Sequence, residues 1–135
     1  VTTGLNPDGP RDPESVLSAA GTLSAAVRYL ARATRDPGAF DGPFGVFTVL
    51  LDVEAALAGL PQVLGQVAGW LDGQYADGRI TMDGGGEFPS PVLAVMAVQA
   101  RLEAASGHLE TARGMAASAA DVTSHMKKRE DGGHG

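Results

Sequence analysis

The chain has 135 residues and no cysteine. That removes disulfide bridges and thiolate metal sites, and it fits a reducing, cytoplasmic setting. Aromatic residues are few, with one Trp, two Tyr and four Phe. Positive charge is also short: ten Lys and Arg against sixteen Asp and Glu leave a formal charge of −6 and a pI near 4.8. This balance opposes general nucleic-acid binding, because phosphate neutralisation supplies most of that affinity. Residues 1–20 lack the basic start and apolar run of a signal peptide, so no targeting segment is expected. A long uninterrupted apolar run is missing too. The nearest membrane candidate, Val46 to Leu71, is broken by Asp52, Glu54, Pro61, Gln62 and Gln66. A span needs ~20 predominantly apolar residues, so no membrane association is expected.

What the chain does have is a heptad ladder, Val46, Leu50, Val53, Leu57, Leu60, Leu64, Val67 and Leu71, with no charged side chain from Ala55 to Leu71. A helix with so little polar surface must be covered by other helices or by a partner, which predicts a buried central element. At this length about two thirds of the unfolded surface can be buried, enough for one self-standing domain.

Residues 1–11 carry Gly, Pro, Asn and Asp without periodicity and read as a flexible arm. Asp12-Pro13-Glu14 then gives an N-cap, a proline at the first helical position and an acid in the first turn. Helix one follows, with Val16, Ala20, Leu23, Val27, Leu30 and Thr34 on one face, and stops before Pro37-Gly38. Helix two starts near Pro43 or Phe44. Pro61 cannot donate to the Leu57 carbonyl, but the heptad phase holds on both sides, which favours one kinked helix over two. The Gly- and Asp-rich stretch 72–89 is a long loop, the first place to look for a site. Ser90-Pro91 repeats the cap-then-proline start, and helix three keeps phase from Val95 to Met126, ~54 Å if fully helical. Its second half is lined by alanine. Residues 128–135 read as a flexible charged tail. The expected fold is therefore all-α, an up-down antiparallel bundle of three long helices over residues 12–127, or four if helix two breaks at Pro61.

Several constellations invite a functional reading. Arg28, Arg32 and Arg35 fall at i, i+4 and i+7, one stripe on helix one that suits phosphate or an acidic partner, or pairs with Asp36, Asp41 or acids on adjacent helices. Trp70 and Tyr75 flank the exit of helix two, where they either anchor a partner or close the end of the core. Asp72, Asp77, Asp83 and Glu87 share one Gly-rich segment, but their spacing is not that of an EF-hand, and Asp and Gly belong in turns for backbone reasons. His108, His125 and His134 are not at metal-ligand spacing. No G-x-S-x-G elbow or G-x-x-x-x-G-K-[ST] loop occurs, and Asp52 and Glu54 fall on different helix faces. Neither catalysis nor a cofactor, metal or small-molecule ligand is expected.

Three pieces carry a resemblance: AVRYLARAT from Ala26 to Thr34, LPQVLGQVAGWL from Leu60 to Leu71, and Asp77-Gly78-Arg79-Ile80 ahead of the Ala-rich helix. Together they resemble a group of small actinobacterial helical proteins loosely associated with plasmids and integrated mobile elements. The resemblance spans most of the chain and implies a helical fold, with no activity or residue roles to transfer. A comparison with the helical-hairpin substrates of type VII secretion fails at the turn, because Trp70-Leu71-Asp72-Gly73 is one residue longer than W-x-G and no Y-x-x-x-[DE] pattern follows either Tyr.

The function expected from the sequence is a non-enzymatic helical-bundle protein acting by protein–protein interaction or self-association. The alternative is an accessory DNA-associated regulator of a mobile element that uses the arginine stripe. A ligand-binding bundle with the Gly-rich loop as lid ranks last.

Overall fold

The computed structural model describes residues 5–129. The fold is all-α, with α1 at Pro13–Ala33, α2 at Pro43–Ala76 and α3 at Pro91–Thr123. A 3-10 turn occupies Pro37–Ala39, and there is no strand among the described residues. The expected class and the expected three long helices are observed, with Pro61 carried inside a continuous α2. Contacts gather in two compact units, residues 1–41 and 42–135. Of the expected arm and tail, residues 1–4 and 130–135 lie outside the described residues, His134 among them.

In the first unit, the Asn6 carbonyl accepts from the Gly9 N–H and the Asn6 side chain accepts from the Asp8 N–H, making a turn within the arm. Asp12 then caps α1 as its sequence foretells. Its carboxylate accepts from the Ser15 N–H at 2.8 Å and from the Ser15 hydroxyl at 3.2 Å, so one of the orphan donors of the first turn is satisfied. The α1 seam residues Val16, Leu23, Val27 and Leu30 are all exposed. The helix ends at Thr34, whose hydroxyl donates to the Leu30 carbonyl, before Asp36 accepts from the Gly38 N–H and starts the 3-10 turn.

The second unit is an antiparallel hairpin of α2 and α3. Three observations set its register. Glu54 meets Arg113 at 3.5 Å. The Gly42 backbone lies under the Lys128 stem, where a Cβ on Gly42 would come 3.5 Å from the Lys128 Cβ. Gly65 and Ala68 share a shallow depression with Gln99 and Leu102. At ~1.5 Å per residue both helices are ~50 Å long and run alongside one another for most of that length.

The α2 end is built from backbone bonds. Asp77 is the C-cap, Gly78 has φ +71, the Gly78 N–H donates to the Tyr75 carbonyl and the Arg79 N–H donates to the Gln74 carbonyl. This is a Schellman motif, and it needs glycine because L side chains are strained at positive φ. Hence α2 runs one turn beyond the expected end and the loop is 77–90, shorter than the expected 72–89. Ser90 occupies the N-cap position of α3 without a side-chain cap bond. The hydroxyl contribution expected there is absent, and nothing in the structure explains why. Helix α3 ends at Thr123, three residues short of Met126, and Ser124 closes it by bonding back to Ala120 and Asp121.

The burial pattern corrects the expectation of a buried central helix. No residue of α2 is buried; among the described residues only Val95 and Ala120, both on α3, are, at 5% and 2% exposure. Val46, Leu50, Leu57, Leu60, Leu64 and Leu71 are half-buried, whereas Val53 and Val67 of the same ladder are exposed. The row Leu50, Leu57, Leu64 and Leu71 stays half-buried along its whole length, whereas Val53 and Val67 belong to the neighbouring row at its edge.

Candidate functional site

The hairpin has two flanks, one on each side of the α2/α3 seam, and they differ in polarity. On one flank Glu54 Oε2 meets Arg113 Nη1, and Arg113 Nε also reaches Glu110 at 3.4 Å. Farther along, Gly65, Gln99, Glu103 and Ser106 line the depression on the same flank. This side is polar.

The other flank is apolar. On α2 it carries Val49, Ala56, Val63 and Trp70, spaced seven apart, with Val53 and Val67 at the edge next to them. Of these, Val63 is 49%, Val67 47% and Trp70 64% exposed. Helical geometry places the α3 row Arg101, His108, Met115 and Val122 on the same side, with Ala97, Ala104 and Ala119 beside it. Met115 is 70% exposed and Val122 55%. Asp52, Arg101 and His108 are the only ionisable groups on this flank among the described residues. Arg101 is engaged at its end of the hairpin: Nη2 lies 3.3 Å from Glu87 Oε1, and the guanidinium carbon sits 5.5 Å from the Phe88 ring centroid. Those two contacts fasten the last residues of the loop to α3.

The sequence-derived candidates distribute as follows. Trp70 is on the apolar flank and 64% exposed. Tyr75 is also exposed, at 37%, and being five residues on it faces about 140° away from Trp70. The two do not form one site. Arg28, Arg32 and Arg35 are exposed, and none makes an ion pair among the described residues. Arg28 Nη1 donates instead to the Ser24 hydroxyl at 2.8 Å. Asp36 spends its carboxylate on the Gly38 N–H, so the pairing with Asp36 that the sequence allows is not made. Arg28, Tyr29 and Arg32 border an open depression with Ala39 at its foot.

The four carboxylates of the Gly-rich segment are not brought together. Asp72 is within α2, Asp83 accepts from the Gly85 N–H, and Glu87 pairs with Arg101. Among the described residues no group of three or more His, Asp or Glu could hold a metal ion. His108 and His125 are exposed. The shifted carboxyl is Asp12, held below the ordinary Asp value by the Ser15 N–H first and the Ser15 hydroxyl second. Its role is capping.

By length and composition α2 is apolar enough to cross a membrane, and none of that stretch is buried. The apolar flank is the feature that reading one ladder misses. Its signal is present as a second seven-residue repeat, Val49, Ala56, Val63 and Trp70, offset by three from the first. No family model, curated protein or solved structure matches the chain.

Proposed function

We propose that this is a non-enzymatic helical protein of the cytoplasm that acts by protein–protein interaction. The observation that carries the reading is the exposure of large apolar side chains along one side of the α2/α3 hairpin, Val63, Val67 and Trp70 toward the loop and Met115 and Val122 toward the open end. Contiguous apolar patches on monomeric proteins seldom exceed a few hundred Å², and larger ones mark interaction sites. A bilayer is the competing destination for α2. Against it, α3 lies alongside and would take Arg101, Glu103, Glu110 and Arg113 to the same depth, each Arg costing ~2.5–3.5 kcal/mol at a bilayer centre. The test is light scattering at micromolar concentration together with crosslinking in the host cell. Self-association or a specific crosslinked protein is expected; a strict monomer that captures nothing would sink the reading.

A second reading has its own observation, that Arg28, Arg32 and Arg35 make no ion pair among the described residues. It is an accessory DNA-associated role in which this stripe meets backbone phosphate. Duplex binding should then fall steeply with salt and vanish in the Arg28→Glu, Arg32→Glu double variant. No binding at ~50 mM salt removes it.

A further inference from the structure

We infer that Arg28, Tyr29 and Arg32 form a binding site for single-stranded DNA, in which the two guanidinium groups take backbone phosphates and an unpaired base stacks on the Tyr29 ring. The inference rests on the phosphate-contact reading of the arginine stripe and adds the form of the nucleic acid.

Position is the first argument. At ~100° per residue the three side chains fall within an arc of about 100° on α1, and the centre of that arc lies opposite the apolar seam of Val16, Leu23, Val27 and Leu30. Whatever covers the seam leaves this face open. Beyond the helix end the chain turns at Pro37–Ala39 and brings Gly38 and Ala39 to the border, which makes an open depression of about 690 Å³. Ligand sites commonly measure ~300–1,000 Å³.

Charge is the second. The formal charge of −6 opposes binding over the whole surface, so a nucleic-acid site has to be a local basic patch. From Ser15 to Thr34 the only charged residues are Arg28 and Arg32, and Arg35 follows. Arg28 Nη1 donates to the Ser24 hydroxyl at 2.8 Å, a bond that orients the guanidinium without neutralising it. Asp36 is the one acid bordering the depression among the described residues, and its Oδ1 already accepts from the Gly38 N–H at 2.7 Å. Arg32 is in the last turn of α1, where a cation also offsets the negative helix end. Arg28, a turn earlier, is not needed for that.

The aromatic ring is the third. Tyr29 is 70% exposed and shares the depression with both arginines and with Ala25, Ala33 and Ala39. Grooves that hold single strands combine basic side chains along the backbone with an aromatic ring under a base. A duplex keeps its base faces stacked inside, so it would use the arginines and leave the ring idle. An acidic peptide would do the same.

The experiment is fluorescence anisotropy of the full chain with a labelled oligothymidylate of ~12 nucleotides, set against a duplex of equal length, both at ~50 mM salt. The single strand should bind at least about tenfold more tightly than the duplex. With up to three phosphates neutralised, raising salt to ~200 mM should weaken binding by about 20-fold. Tyr29→Ala should weaken it by about 5- to 100-fold with the salt slope kept, and Tyr29→Phe should restore it. Arg28→Gln should instead flatten the salt slope by ~0.7. No binding of the single strand at ~50 mM salt overturns the inference, and so does a Tyr29→Ala variant that binds as tightly as the parent. Displacement of the oligonucleotide by polyglutamate at equal charge concentration overturns it too, in favour of an acidic protein. Tighter binding of the matching oligouridylate overturns the choice of DNA over RNA. Duplex binding as tight as single-strand binding overturns the inference and leaves the phosphate-contact reading standing, whereas binding of neither form removes both.

Discussion

Arg113 reaches across the hairpin to Glu54, 59 residues earlier in the chain, and holds α2 and α3 in one register from the polar flank. The pair is partly exposed, at 39% and 27% of the two side chains, and the 3.5 Å separation is long for a charge-assisted bond. Its work is therefore in specifying alignment more than in adding stability. A double-mutant cycle of Glu54→Ala and Arg113→Ala in urea should give a coupling below ~1 kcal/mol. A coupling above ~2 kcal/mol would mean that the pair is buried more deeply in solution.

Asp12 supplies a pH dependence to α1. Its folded-state pKa is lowered, first by the Ser15 N–H and then by the Ser15 hydroxyl. A depressed carboxyl stabilises the folded state above its unfolded value, ~3.9, and the contribution is lost as pH falls through the lowered folded value. Fraying of the α1 N-terminus should therefore grow in acid, seen as loss of amide protection near Ser15. Asp12→Asn, which still accepts the N–H bond without titrating, should remove that acid step.

Gly78 and Gly59 should respond to alanine with opposite sign. At Gly78, φ is +71, and a left-handed L residue costs roughly 1–2 kcal/mol. Gly59 is inside α2 with nothing within 4 Å of an added Cβ, so alanine there should gain about 0.5–1 kcal/mol. Urea midpoints of the two variants, measured side by side, decide the matter. A loss at Gly59→Ala would show that the outer face of α2 is closely covered.

Pro61 is the one helix-breaking residue within α2. It leaves the Leu57 carbonyl without its ordinary donor, and an interior proline costs ~3 kcal/mol relative to alanine. Pro61→Ala should raise the unfolding midpoint by an amount up to that value. A fall instead would mean that α3 packs against the bend the proline imposes.

Much of the fold was legible from local chemistry. Asp12-Pro13, the Pro43 start and Ser90-Pro91 place three helix starts to within a residue, because a proline at the first helical position acts over one turn and needs no tertiary knowledge. The α2 exit was legible in principle, since Gly78 is the residue that terminates it, but reading the dense Gly and Asp of 72–89 as loop from its first residue placed the end too early. Burial was the least legible. Val53 and Val67 belong to the same ladder as Leu57 and Leu64, and only the register of α3 reveals which of them it covers. The candidate site was half visible for the same reason. Trp70 stood out as a lone aromatic, whereas its row with Val49, Ala56 and Val63 is conspicuous only once the other side of α2 is known to be occupied.

The Gly78 turn also bears on the order in which the hairpin assembles. With α2 ended there and α3 resuming at Pro91, the residues next to the loop close the shortest chain segment, and each further layer toward Gly42 and Lys128 adds only a small increment of closure entropy once the previous one has formed. Zipping outward from the loop is thus the low-entropy route. The Leu71 and Val95 end then leads, and the alanine-rich end around Ala120, where each side chain buries little area, closes last and opens first.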